Sequence, residues 1–469
     1  MTYPRRLVGG KVGKPERIEA KGLILVKIAV IGSGYVGTVT GTCLAEMGHT
    51  VICADLNEQR MKNLQSGSIH FYEEGLEPLI ASGLKNKRLQ FTTDVAMAVR
   101  ESEIVFLCIG TPALPNGKPD MNALTVAAKN IAGAMDGYRL IIEKTTMPIK
   151  TGEWLAQLLR KELKQDVEFD IAAVPQFLRE GKAVYDFMHP DRIIVGAESQ
   201  KAIDTIMTIY GPLGAPVLVT DINSAEVIKH AANAFLAMKI SFINSISQLC
   251  EKTGADVTLV TKGLGMDKRI SPDFLNAGIG YGGIFFQKDI SNLLNIAEEY
   301  HVNLDLLKNV EIVNRYQRIT FIEKIDASLK HRLEGKTVAV WGLAYRPFTD
   351  DMRDAPSITV IRGLEQRGAK IHACDPLKST GKPFRHAKLF TDPYEAAKGA
   401  DVIAILTEWD EFKNIDFERL KKETDCRIIV DGRNLFDPEK LAELGFTYIS
   451  IGRKPASPKR ATAEAGKKG

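Results

Sequence analysis

The segment Gly32-Ser33-Gly34-Tyr35-Val36-Gly37 constrains this chain more than any other. It follows an apolar run, Leu25 to Ile31, and opens a small-residue stretch that continues to Met47. A second apolar run, Thr50 to Ala54, ends at Asp55. Strand, glycine turn, helix and strand make a βαβ unit. Gly32 suits the tight turn, Gly34 lets the backbone approach a pyrophosphate, and Gly37 allows close helix–strand packing. Tyr35 and Val36 open the helix, whose N-terminus would receive the phosphates. Asp55 can accept hydrogen bonds from a ribose diol and would repel a 2′-phosphate, so the pattern predicts NAD rather than NADP.

The same grammar predicts the rest of the chain. Strand candidates at Ile104–Cys108, Arg139–Ile142, Phe169–Ala173 and Arg192–Val195 extend an α/β domain over 27–220. Ala225 to Thr253 has a helical period and no proline or internal glycine. It would span about 43 Å, a length suited to bridging domains or packing on a partner chain. Helical segments continue from Ile290 to Leu333, so 221–330 reads as a helical connector. From about Lys336 the α/β pattern returns, with strands at Thr337–Trp341, Lys370–Cys374, Val402–Leu406 and Arg427–Val430, giving a second α/β domain over 331–453. The predicted fold class is α/β: two Rossmann-like domains joined by a helical domain with a long central helix.

Charge excludes some functions. The formal net charge is +4, but residues 1–27 and 453–469 each carry +5 (seven basic against two acidic, and six against one), leaving −6 between them. The basic excess sits in an N-terminal extension (1–26) and a Lys/Pro/Ala/Gly-rich tail (454–469) expected to be disordered, which argues against nucleic-acid binding. No apolar run approaches the roughly 18 residues of a membrane helix. The six cysteines show no C-x-x-C spacing, so the expectation is reduced thiols, no metal centre and a cytoplasmic setting.

Candidate chemical residues sit where loops leave predicted strands. Thr111 and Thr146 each follow an apolar strand and could hold cofactor or water, or serve as structural caps. Phe177-Leu178-Arg179-Glu180-Gly181 follows another strand. Lys229 and Asn233, four apart on the long helix, share a face and could stabilise an alkoxide or polarise a carbonyl oxygen, or stand as a solvated pair. Gly280-Tyr281-Gly282-Gly283-Ile284-Phe285-Phe286-Gln287-Lys288-Asp289 reads as a glycine loop with Asp289 as a candidate base.

Those segments, with Asn233-Ala-Phe-Leu-Ala237, Thr349-Asp-Asp-Met-Arg353, Thr407-Glu-Trp-Asp410 and Asp431-Gly-Arg-Asn434, resemble the UDP-glucose/GDP-mannose dehydrogenase family from about Lys27 to Arg453. The resemblance implies NAD on the first domain, a UDP-sugar between domains, and a homodimer through the central helix. It implies oxidation of C6 in two hydride transfers. Lys229 and Asn233 would stabilise the C6 oxygen and Asp289 assist base and water chemistry, with Glu180 and Thr146 in the same pocket. Lys288 and Thr111 would lie on the cofactor side. Phe177, Leu178, Tyr281, Gly282, Arg346 and Arg433 would contact the substrate, and Arg269 would reach a neighbouring subunit's site.

Departures cluster in two loops. The family loop has serine, cysteine and proline where this chain has Ile284, Phe285 and Gln287, and glutamate where it has Gln176. The cysteine captures the intermediate aldehyde; a phenyl ring is no nucleophile. Three outcomes are therefore expected as alternatives. The first is an oxidoreductase with atypical, cysteine-free chemistry that stops at the aldehyde or acts differently. The second is ordinary oxidation to the acid by a substitute mechanism or another thiol such as Cys250, and the third is a non-catalytic sugar-nucleotide-binding paralogue.

Overall fold

The computed structural model describes residues 25–459 except 113, 115–117, 378–379 and 381–382. The expected N-terminal extension lies outside the described residues but for its last two, as does the tail from 460. Residues 454–459 are described, and Ala456 pairs with Tyr448, so the ordered chain runs past the expected start of the tail at 454.

Eight strands form the first sheet: Lys27–Ile31 (β1), Thr50–Ala54 (β2), Leu89–Thr92 (β3), Ile104–Leu107 (β4), Arg139–Glu143 (β5), Phe169–Ala173 (β6), Ile193–Ala197 (β7) and Val217–Thr220 (β8). Their order is β3-β2-β1-β4-β5-β6-β7-β8. The first six are parallel in the dinucleotide-binding order, and β7 pairs antiparallel with β6. The central strands β4 and β5 are buried along their whole length, as expected where helices cover both faces.

The helix Ile222–Thr253 follows, N-capped by Asp221, whose carboxylate accepts the Ser224 N–H at 2.7 Å. It starts three residues before the expected Ala225. Its buried positions include Glu226, Lys229, His230 and Asn233, so the polar residues of its first turns face the protein interior. Helices Ile284–Glu299 and Asp305–Ser328 pack against it.

The second sheet is wholly parallel: Thr337–Trp341 (β9), Lys370–Cys374 (β10), Lys388–Phe390 (β11), Val402–Ile405 (β12), Ile428–Asp431 (β13) and Thr447–Ser450 (β14). Its order, β11-β10-β9-β12-β13-β14, repeats that of the first six strands. Each sheet therefore has a switch point, β1/β4 and β9/β12, outside which a crevice opens at the strands' carboxyl ends.

Candidate active site

At the first switch point, Gly32 sits at φ 95°, and a Cβ there would come within 2.7 Å of the Cys108 carbonyl oxygen. A Cβ on Gly37 would lie 1.8 Å from the Gly32 carbonyl oxygen. Gly34, in contrast, has open space where a Cβ would point and caps the helix Tyr35–Glu46 without any side-chain hydrogen bond. The first N–H groups of that helix thus face an open groove, an arrangement that fits a pyrophosphate. Asp55 accepts the Ser33 N–H at 2.8 Å and pairs with Arg60 at 2.7 Å, a partner the sequence reading did not single out. Tyr35 turns inward instead of toward the groove, its hydroxyl donating to Glu73, and Val36 is core. Glu73 also accepts the N–H groups of Gly181 and Ala183, both at 2.7 Å, which ties the cofactor turn to the loop after β6. Thr111 is buried, and its hydroxyl has no hydrogen-bond partner among the described residues.

A cavity of about 590 Å³ lies beside this groove. Phe177, Leu178 and Glu180 line it from the loop after β6, and Lys229 and Asn233 from the long helix. Tyr281 and Gly282 close one wall, while Arg346 and Arg433 enter from the second α/β unit. Gln176 lines it too, with its side-chain oxygen accepting the Leu178 N–H.

The expected glycine loop is shorter than the sequence suggested. It ends at Gly283 (φ 80°), and Ile284 begins a helix, so Phe285, Lys288 and Asp289 stand on its first turns. Nothing in Ile-Phe-Phe-Gln-Lys-Asp breaks a helix once the glycines have passed. Phe285 is half-buried and lines the cavity. None of the six cysteines does; Cys250 is packed in the core with Val257 and Leu275.

Asp289 is fully buried and does not line the cavity. It reaches the site through Asn233, whose amide donates to its Oδ2. Its Oδ1 lies 3.2 Å from Nδ1 of His230, another fully buried residue. Burial pushes the Lys229 ammonium below its usual range; Asp289 opposes that shift and Arg192 adds to it. Lys288 is brought down to about 8 by burial, with Asp289 opposing and Lys229 reinforcing the shift, and its ammonium donates to the Thr146 carbonyl at 3.1 Å. The Thr146 side chain is buried outside the cavity lining, with no hydrogen-bond partner among the described residues. Glu180 is raised to about 8, first by burial and then by the neighbouring Asp351, while Arg353 pairs with it at 3.0 Å.

Asp289, Lys288, Thr146 and Arg269 stand outside the cavity lining. Asp289 is buried behind the cavity wall and is linked to the lining through Asn233. Arg269, which the resemblance assigns to a neighbouring subunit's site, has a side chain that is 88% exposed and held by Asp267. Arg353, in the 349–353 segment that carries the resemblance, pairs with Glu180. Glu73, Glu226 and His230 were missed. Only Glu226 and His230 had a signal, since they lie on the helical face that carries Lys229 and Asn233.

Residues 26–214 match the NAD binding domain, 223–316 the central domain and 339–438 the UDP binding domain of the UDP-glucose/GDP-mannose dehydrogenase family. UDP-glucose 6-dehydrogenase TuaD of Bacillus subtilis is 41% identical, with 91% of this chain and 93% of that protein covered. The UDP-glucose 6-dehydrogenase of Rhizobium meliloti is 40% identical over 91% of this chain and all of its own length. The structure of a UDP-glucose dehydrogenase from Pyrobaculum islandicum superposes with a TM-score of 0.86 at 32% identity, covering 93% of this chain and all of that one. Open helix N-terminus, buried lysine–amide pair and two-sheet frame agree with those matches: NAD is the cofactor, and the chain belongs to the UDP-glucose/GDP-mannose dehydrogenase family.

Proposed function

We propose that this chain is an NAD-dependent UDP-sugar dehydrogenase that oxidises the C6 alcohol of a UDP-hexose, UDP-glucose first among candidates, without a thiol. Bound NAD supplies the hydride acceptor. Lys229 and Asn233 hold the C6 oxygen. Burial lowers the Lys229 ammonium from its usual range, which favours Lys229 as the acceptor of the hydroxyl proton as the hydride leaves C6. The resulting ammonium then faces the aldehyde oxygen and polarises it. Arg346 and Arg433 present positive charge to the nucleotide end of the cavity.

The observation that carries the reading is the Phe285 ring on the cavity wall together with the lack of any cysteine there. A carbonyl at C6 then meets no sulfur to form a thiohemiacetal, and the reaction halts at the aldehyde. Incubation with NAD and UDP-glucose, followed by trapping with a hydrazine and mass spectrometry, should find the UDP-linked aldehyde. Recovery of the UDP-linked acid alone would refute the reading. Phe285→Cys should shift product toward the acid.

The resemblance also supports a homodimer. Phe235, Phe242 and Leu249 recur every seven residues on the long helix and are 57%, 51% and 58% exposed, a stripe suited to a second copy. Arg269, exposed and outside its own cavity's lining, is available to a neighbour's. Light scattering should give twice the chain mass, and Phe242→Glu should lower it; a monomeric wild type would end the proposal.

A further inference from the structure

One short connection touches three parts of the site at once. Residues 66–75 join the helix Glu58–Gln65 to the helix Leu76–Lys85. The Phe71 ring packs on that of Tyr35, the residue after Gly34 of the cofactor turn, with centroids 4.8 Å apart. The Tyr72 N–H donates to the Asp350 carboxylate at 3.0 Å, in the loop that also carries Arg346 and Arg353. Glu73 is buried beside them. Its Oε2 accepts from the Tyr35 hydroxyl and the Gly181 N–H, and its Oε1 accepts from the Ala183 N–H.

The loop after β6 depends on those bonds. Residues 174–182 form neither helix nor strand. The loop's start is held to the β5 chain, where the N–H groups of Val174 and Gln176 donate to the carbonyls of Glu143 and Lys144 at 2.9 and 3.2 Å. Its end is held by Glu73, directly after the cavity-lining Glu180. Gly181 also lies close against the second α/β unit: it sits at φ 82°, and a Cβ there would come within 2.4 Å of the Phe348 carbonyl oxygen. Two oxygens that both accept are what an ionised carboxylate supplies. Glutamine would set its amide hydrogens against one of the N–H groups. Burial raises the Glu73 carboxyl, and the donors on Tyr35, Gly181 and Ala183 oppose that rise.

We propose that Glu73 is a positioning residue that locks the loop after β6 to the cofactor turn, so that cofactor and nucleotide sugar each bind more tightly when the other is present. This deepens the dehydrogenase reading and rests on it. Glu73 is absent from the cavity lining and acts through the Tyr35 hydroxyl on one side and the Gly181 backbone on the other. A pyrophosphate in the groove orders the first turn of the helix that begins at Tyr35, and a sugar in the cavity orders the loop at Glu180. Whichever ligand arrives first immobilises the shared carboxylate, so the second loses less conformational entropy on binding. Linkage makes the effect reciprocal.

The test is fluorescence titration of the full chain with NADH, alone and with saturating UDP-glucose, and again with UDP in case the sugar is another hexose. NADH cannot accept a hydride, so the ratio of the two Kd values is read without turnover. Wild type should bind NADH about fivefold more tightly when UDP-glucose or UDP is present. Tyr35→Phe keeps the ring on Phe71 and removes only the hydroxyl that reaches Glu73, and should bring the ratio close to one. Glu73→Gln should do the same, and Tyr35→Phe decides alone if that variant does not fold. A purely structural role would lower Tm or weaken both ligands without changing the ratio. A wild-type ratio of one with both partners, or a folded Tyr35→Phe that keeps the wild-type ratio, overturns the proposal. Cooperative binding in a chain that forms no NADH from NAD and any UDP-hexose would sink the dehydrogenase reading and leave the lock standing, whereas an active enzyme with a ratio of one would sink the lock alone.

Discussion

The two switch points begin as copies of each other and then diverge. Gly32 and Gly342 follow the first strand of their sheets at φ 95° and 94°, and each donates its N–H at 2.8 Å to the last residue of the neighbouring strand, Ala54 or Cys374. Asp55 takes the next N–H, from Ser33, at 2.8 Å; Asp375 takes that of Leu343 at 2.7 Å. After that, the first turn reaches Gly34 and enters a helix at Tyr35, leaving bare N–H groups over open space. The second turn continues through buried Leu343 and Ala344, whose carbonyls accept the hydroxyls of Ser357 and Thr407, and the next helix waits until Pro356. The intervening loop carries Tyr345, Arg346 and Arg353 toward the central cavity and Glu180. One backbone device therefore serves two ends. Glycine in the middle of the turn makes a phosphate groove, whereas alanine there fills the groove and sends the loop outward with its charges.

Substitutions can break or sharpen this contrast. The largest effect is expected from Gly37→Ala, whose new Cβ falls on the Gly32 carbonyl. It should cost about 3 kcal/mol in chemical denaturation and abolish NADH binding by fluorescence titration. A variant that still binds NADH normally would show that the groove is elsewhere. Gly342→Ala meets Thr407 at 2.4 Å in a left-handed conformation. It should cost about 2 kcal/mol of stability yet leave NADH affinity within about twofold, because the second turn holds no cofactor. Gly34→Ala should do the reverse. Its Cβ meets nothing in the protein, so stability changes by less than about 0.5 kcal/mol, while NADH binding weakens about tenfold as the methyl occupies the pyrophosphate's approach.

The smallest effect lies where the two halves meet. Glu180, from the first half, is gripped by Arg353 of the second half's exported loop and is raised to about 8, chiefly by burial. A raised acid binds its proton more tightly in the folded chain than in the unfolded one. Its stabilisation is present at low pH and is lost as pH climbs from the unfolded value toward the folded one. Wild type should therefore lose about 3 °C of Tm relative to Glu180→Gln between about pH 5 and about pH 8. A constant difference across that range would mean Glu180 is charged throughout.

The sequence was most legible where local rules act alone. The glycine turn, β2 ending beside Asp55, and the long helix follow from spacing and period. The strands β3, β8, β11 and β14 escaped because β3 and β14 bury only alternate residues, with no continuous apolar run, and β8 and β11 have no buried position to give a pattern. Lys229 and Asn233 could be paired by their spacing of four. That Asp289 sits behind them, and that His230 closes on it, depends on a helix–helix contact with no local signature. Glu73 is the clearest case: it lies in a polar loop that promises nothing, yet it joins Tyr35 to Gly181 and Ala183 across more than a hundred residues of chain. Cys250 could be placed only by the fold, which buries it away from the cavity.

The claim on which the functional account turns is that Phe285 leaves the aldehyde uncaptured. Counting NADH formed against UDP-glucose consumed, with purified protein and excess NAD, tests it directly. The account predicts a ratio of one with the aldehyde as product. A ratio of two would contradict it, because a second hydride transfer would then be proceeding without sulfur in the cavity.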